Sequence, residues 1–160
     1  TDYTLVLSLE NSDRDCDRMA LLGPTDETVD LAKEVRQKYS NFGVLLDQGH
    51  FPLMKEDPGK SLEMAKGVLT HVHIGNCYSK DSSKPYFGDK HLPFGVPDSD
   101  IGIMELSGFL RKLREIGFWG EKSGAELPVI SFEVGPWADE SPDIVLANVK
   151  RAFARAWALV

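Results

Sequence analysis

Gly43-Val44-Leu45-Leu46-Asp47-Gln48-Gly49-His50 is a short apolar run that ends in an acid, with an imidazole three residues further on. Three other stretches share its form. Leu5-Val6-Leu7-Ser8-Leu9 runs into Glu10, Thr70-His71-Val72 into His73, and Pro128-Val129-Ile130-Ser131-Phe132 into Glu133. Short apolar runs bounded by polar, Gly- and Pro-containing segments read as strands. The segments between them are long enough for a helix each, so the chain reads β-α-β-α-β-α-β-α, a parallel α/β arrangement. In a parallel barrel the carboxyl ends of the strands converge on one face, where the chemistry collects. Glu10, Asp47, His73 and Glu133 are therefore expected to meet.

Alternation along the first run sets Leu5, Leu7 and Leu9 on one face, predicted to pack under helices, and Val6, Ser8 and Glu10 on the other. Val129, Ser131 and Glu133 share the inward face of the last run. A charged loop, Asn11 to Gly23, follows the first strand, and its Asp13-Arg14-Asp15 cluster reads as a solvated ion-pair surface. Helical signals follow. Thr25 is a good N-cap after Pro24, with Asp26 and Glu27 in the first turn, and the stripe is Val29, Ala32, Val35 and Tyr39. A weaker helix fits Lys60 to Val68. A third carries Ile103, Leu106, Phe109, Leu110 and Leu113 and stops at Gly117. The fourth opens with Ser141 and Pro142 and buries Val145, Val149, Phe153 and Trp157. From Gly75 to about Asp100 the chain is rich in Ser, Pro, Gly, Asp and Lys, with aromatic residues interspersed; connections of this length are commonly lids or binding loops.

At 160 residues the sequence is one domain's worth, 1–160, and long enough to bury a core. A formal charge of -7 argues against a general nucleic-acid binder, which needs a basic surface. No apolar stretch approaches the roughly 20 residues of a membrane span. Cys16 and Cys77 are too few for a disulfide framework, so a reducing, cytoplasmic setting is expected.

Three carboxylates and one imidazole suit manganese, magnesium, cobalt or zinc, and the absence of thiolates argues against a structural zinc site. One divalent cation and no organic cofactor are expected. His71, one layer below His73, reads as a barrel-interior histidine or an outer partner of the ligands. Leu9-Glu10, Asp47-x-x-His50, His71-x-His73-Ile74-Gly75-Asn76 and Phe132-Glu133-Val134 together resemble sugar phosphate isomerases and epimerases of the xylose-isomerase-like TIM barrel superfamily. The resemblance covers Leu7 to about Val149 and only the C-terminal half of that barrel. It implies a parallel (β/α)4 half of a TIM (β/α)8 barrel, with the other strands coming from an N-terminal half-barrel beyond this chain, another polypeptide, or a second copy in a homo-oligomer.

The resemblance also implies roles. Glu10, Asp47, His73 and Glu133 would be the metal ligands, Glu10 and Glu133 the catalytic proton carriers, and His50 a contact to a carbohydrate substrate. The expected reaction is isomerisation or epimerisation of a sugar or sugar phosphate by proton transfer through a metal-stabilised enediolate. Asp89-x-His91 resembles the endonuclease IV branch, in which such a pair and the residue matching His50 hold a further metal; Gly75-Asn76-Cys77 departs from that branch. His91 is thus open between a second metal, with His50 and Asp89, and substrate binding. Arg14 is a candidate for a substrate carboxylate or phosphate. A lyase cleaving carbon-linked glycosides, an endonuclease IV-like phosphodiesterase, and a half-barrel inactive without its partner are the alternatives.

Overall fold

The computed structural model describes residues 5–120 and 128–160. Four strands, β1 (Leu7–Glu10), β2 (Phe42–Asp47), β3 (Leu69–Gly75) and β4 (Val129–Glu133), form one sheet in the order β1-β2-β3-β4, every pair parallel. Helices α1 (Thr25–Arg36), α2 (Phe51–Met54), α3 (Pro58–Ala65), α4 (Ile103–Glu115) and α5 (Pro142–Trp157) complete the chain. The expected (β/α)4 half-barrel is the architecture found. Among the described residues no helix is long and apolar enough to cross a membrane.

One face of the sheet carries the core. Val44, Leu46, Val72 and Ile74 are buried there against Val29 and Ala32 of α1, Leu62 and Ala65 of α3, and Leu106, Leu110 and Leu113 of α4. The other face would be a barrel interior, and it carries Ser8, Glu10, Leu45, Asp47, His71, His73, Ser131 and Glu133. Register between β2 and β3 slips at one point: Val44 faces Leu69 but Leu45 faces His71, so Thr70 is an extra residue. Thr70 Oγ1 donates to the Val44 carbonyl at 3.0 Å and lies 2.7 Å from Ser8 Oγ. This bulge brings Asp47 and His73 side by side at the strand tips.

Several boundaries differ from expectation, each for a local reason. Thr25 is the first residue of α1 rather than its cap; its N–H and hydroxyl donate to the Glu56 carboxylate at 2.9 and 2.6 Å, so a distant acid caps the helix. That helix ends at Arg36, leaving Tyr39 exposed. The second expected helix begins earlier, at Pro58, because the Asp57 carboxylate accepts the Lys60 N–H at 2.8 Å. Trp157 is half-exposed and packs edge-on to Trp119. Leu5 and Leu7 do not pack under helices: they are 65% and 60% exposed, because α1 lies mainly on β2 and β1 is an edge.

The long connection after β3 is built around Asn76, which is buried. Its Nδ2 donates to the Pro93 carbonyl at 3.0 Å and to Ser99 Oγ at 2.9 Å, and its Oδ1 accepts the Ile101 N–H at 2.9 Å. Tyr78, Leu92 and Val96 form a small satellite core with Tyr86, Phe87 and Trp137, while Phe94 joins the main core. Asn76→Ala leaves those groups unpaired, each costing about 1–3 kcal/mol. It is expected to lower the urea midpoint and to open residues 79–98 to limited proteolysis; unchanged cleavage kinetics would contradict this account of the loop.

Candidate metal centre

Each of the four strands delivers one residue to the same point. Glu10, Asp47, His73 and Glu133 offer ligand atoms that all lie within 4.8 Å of one another. His73 Nδ1 is 3.3 Å from Glu10 Oε1 and in close contact with Glu133 Oε2. Asp47 Oδ2, His73 Nδ1 and Glu133 Oε2 are buried and make no protein hydrogen bond of acceptable geometry. Buried polar atoms are almost always paired. Three unpaired atoms converging from three strands fit a shared cation, and oxygen with imidazole nitrogen suits a divalent metal. Gly75 leaves the room: a Cβ there would lie 3.2 Å from Asp47 Oδ1 and 3.1 Å from the Glu133 carbonyl.

Asn11, the residue after Glu10, locks the tip of β2 to the tip of β1. Its side-chain carbonyl accepts the Asp47 N–H at 2.8 Å, and its backbone carbonyl accepts the His50 Nδ1–H at 2.6 Å. Asp47 Oδ1 accepts the Gly49 N–H at 2.6 Å, closing a short 3₁₀ turn, Gln48–His50, that swings the imidazole back over the strand end. His50 Nε2 then lies 3.5 Å from Asp47 Oδ2 and 3.3 Å from Asp89 Oδ2. Asp89 Oδ1 is 3.4 Å from His91 Nδ1, and His91 Nε2 is 3.7 Å from Glu133 Oε1. His50, Asp89 and His91 thus form an outer arc beside the cluster. His71 sits below it, with Nε2 2.8 Å from Ser131 Oγ and its ring edge-on to His73.

Arg14 is not brought to this cluster. Its guanidinium donates to both carboxylate oxygens of Glu27, one bond at 2.9 Å, and to the Leu21 carbonyl at 2.8 Å, on the protein surface. Asp13, expected among solvated ion pairs, is instead buried. Its carboxylate accepts the N–H groups of Cys16 and Asp17 at 2.7 Å each and of Arg18 at 2.8 Å. Those bonds outweigh burial and hold its pKa below the ordinary carboxylate value. Arg18 is the arginine that reaches the outer arc: Nε donates to Asp89 Oδ2 at 2.7 Å. Loop polarity in the sequence does not mark the parts of Asn11, Asp13 and Arg18; the usable signal is an Asn directly after the acid at a strand tip.

The electrostatics follow. Burial pushes the Asp47 carboxyl up to about 7, partly offset by the His50 charge and reinforced by the neighbouring Glu133 carboxylate. Burial lowers His50, but the Asp89 bond and the Asp47 charge outweigh it and raise the imidazole to about 9. Burial raises Asp89, yet its bonds to His50 and Arg18 hold it well below the usual carboxylate range. Glu10 is likewise held low, because His73 and His50 outweigh its burial.

No protein-family model matches the sequence, and no curated protein is similar to it. Solved structures do match the fold. The 3-keto-D-glucoside 4-epimerase YcjR from E. coli, in its apo form, superposes with a TM-score of 0.58 at 15% identity, covering 93% of this chain and 46% of that one. L-ribulose 3-epimerase gives 0.58 at 19% identity, covering 96% and 48%. D-psicose 3-epimerase, solved in the presence of D-fructose, gives 0.56 at 19% identity, covering 96% and 47%. The chain has the fold of half of a TIM barrel and spans about half the length of the sugar epimerases it matches.

Because Asp47 is raised above its ordinary value, its proton favours the metal-free fold below about pH 4, and that contribution is lost as pH rises through about 7. A cation entering the cluster displaces this proton. Because His73 is also held above the ordinary imidazole value by Glu10 and Glu133, calorimetric Mn²⁺ titrations are expected to show proton release and an affinity that strengthens through pH 7 and goes on rising above it. A flat profile over that range would contradict the assignment of Asp47 as a ligand.

Proposed function

We propose that this chain is the C-terminal, metal-holding half of a divalent-metal-dependent sugar isomerase or epimerase. The observation that carries the reading is the convergence of Glu10, Asp47, His73 and Glu133 within 4.8 Å, at the carboxyl ends of four successive parallel strands. The fold it shares with several sugar epimerases supports the same reaction class. A cation held by these four residues supplies Lewis acidity, polarising a sugar carbonyl and acidifying the neighbouring carbon.

The protein's part is proton handling. Glu10 and Glu133 come from the two edge strands, on opposite sides of His73. One removes the proton beside the carbonyl; the other returns a proton to the opposite face, or to the adjoining carbon. Glu10, held ionised, suits the base, and Glu133, against His73 and beside Asp47, suits the group that receives and gives back a proton. His50, charged and fixed by Asn11, is placed in this reading to donate to a substrate oxygen.

The remaining strands belong to an N-terminal half-barrel in this reading, since among the described residues β1 and β4 each pair on one side only and the matched epimerases are about twice as long. A second copy is the competing source of those strands, and solution mass separates the two. A multi-metal phosphodiesterase reading draws on the His50–Asp89–His91 arc; two or three cations per chain would favour it over one.

In heavy water, Mn²⁺-loaded protein is expected to introduce deuterium at a ketose carbon, and chelation to abolish it. Glu133→Gln should lower that exchange by about 10²–10⁴-fold, the usual worth of a positioned acid–base group, without altering the circular dichroism spectrum. Metal-loaded protein that exchanges no ketose proton would remove the isomerase reading.

A further inference from the structure

Arg18 stands in the outer arc without an assigned task. It leaves the loop after β1 at a point fixed by Asp13, whose buried carboxylate accepts its backbone N–H at 2.8 Å. Nε donates to Asp89 Oδ2 at 2.7 Å, and Nη2 lies 3.3 Å from His91 Nε2. That same His91 nitrogen is 3.7 Å from Glu133 Oε1, so a single imidazole separates the guanidinium from the metal-facing carboxylate. Its side chain is 52% exposed whereas Asp89 is 4% exposed. The arginine is therefore anchored at one edge and open at the other.

A guanidinium carries five N–H groups in a rigid plane. One bond to Asp89 and one contact to His91 leave three of them without a partner among the described residues. Its charge is already balanced by Asp89, just as Lys90 is balanced by Asp17 at 2.8 Å. The charged His50 is likewise matched, by Asp47 and Asp89, and with Glu10 and Glu133 also close by this side of the site is a poor seat for a phosphate. What Arg18 offers is a fixed pair of hydrogen-bond donors to neutral oxygens.

We infer that Arg18 is a substrate-binding residue that donates to hydroxyl or carbonyl oxygens of an unphosphorylated sugar, on the Asp89–His91 side of the pocket. This rests on the sugar isomerase reading above and adds the residue and the charge class of the ligand. The bond to Asp89 positions the guanidinium, and the free N–H groups take the sugar. Sequence spacing gave no hint of it, because the contact spans 71 positions.

The test uses Mn²⁺-loaded protein, with D-fructose, D-psicose and D-fructose 6-phosphate as probes in calorimetry and deuterium exchange. Arg18→Ala is expected to raise KM or Kd for the neutral ketoses at least tenfold, with a smaller change in kcat and an unchanged Mn²⁺ affinity. Arg18→Lys, which keeps a charge for Asp89 but loses the planar donors, should show the same sugar defect and guards against a folding failure. Wild-type sugar affinity in both variants would overturn the assignment while leaving the isomerase reading intact. Loss of Mn²⁺ affinity in step with sugar affinity would reduce Arg18 to a structural clamp. Tighter binding of the phosphorylated ketose would overturn the neutral-ligand claim. Failure of the wild-type protein to bind or exchange any ketose would overturn both this inference and the reading beneath it.

Discussion

Like charges crowded at the tips of a parallel sheet are the constraint around which this structure is arranged. Two unit charges 4 Å apart repel by about 4 kcal/mol at an effective dielectric of 20. Three carboxylates within 4.8 Å must therefore be neutralised or forced together. Sheet hydrogen bonds do the forcing, and a register slip at Thr70 sets Asp47 beside His73. Without a cation, the crowding raises the Asp47 carboxyl to about 7 and favours a charged His50 alongside. In the proposed reading, a divalent ion would take the place of the Asp47 proton.

The loops are organised by the same chemistry in reverse: buried carboxylates and amides that are satisfied by backbone N–H groups. Asp13 gathers three of them and fixes the loop after β1. Asn76 organises the connection after β3, accepting one backbone N–H and donating to the Pro93 carbonyl and the Ser99 hydroxyl. The two loops are then tied across the site, Arg18 to Asp89 and Asp17 to the Asp89 N–H and Lys90. Gly88 permits this approach, since it has a φ of +94° and a Cβ there would fall 2.5 Å from Asp17 Oδ2. Rigidity at the rim follows from a few charge-assisted bonds.

Open edges are the counterpart of the half-barrel. Among the described residues β1 and β4 each pair on one side, and Leu5, Leu7 and Val129 are exposed beside those edges. A sheet that ends in unpaired strands presents a template for further pairing. The proton-carrying glutamates of the proposed mechanism are on these same two strands. Strands completing the barrel in the proposed reading would border Glu10 and Glu133 directly, coupling closure of the sheet to the shape of the pocket.

Alternation of apolar runs with helix-length segments was enough to foretell four parallel strands, and an acid or imidazole at each run's end was enough to foretell their meeting point. Both signals are local and periodic, and the sheet reads them directly: residues at equivalent positions of parallel strands must lie side by side. What only the tertiary structure decided are the contacts with no period. Glu56 caps α1 from 31 positions away, Asn11 aims His50, and Arg18 rather than Arg14 reaches the site. Arg14 and Arg18 are alike as letters in one charged loop. Three backbone hydrogen bonds to the buried Asp13 turn that loop, and the turn sends one guanidinium to Glu27 on the surface and the other to Asp89.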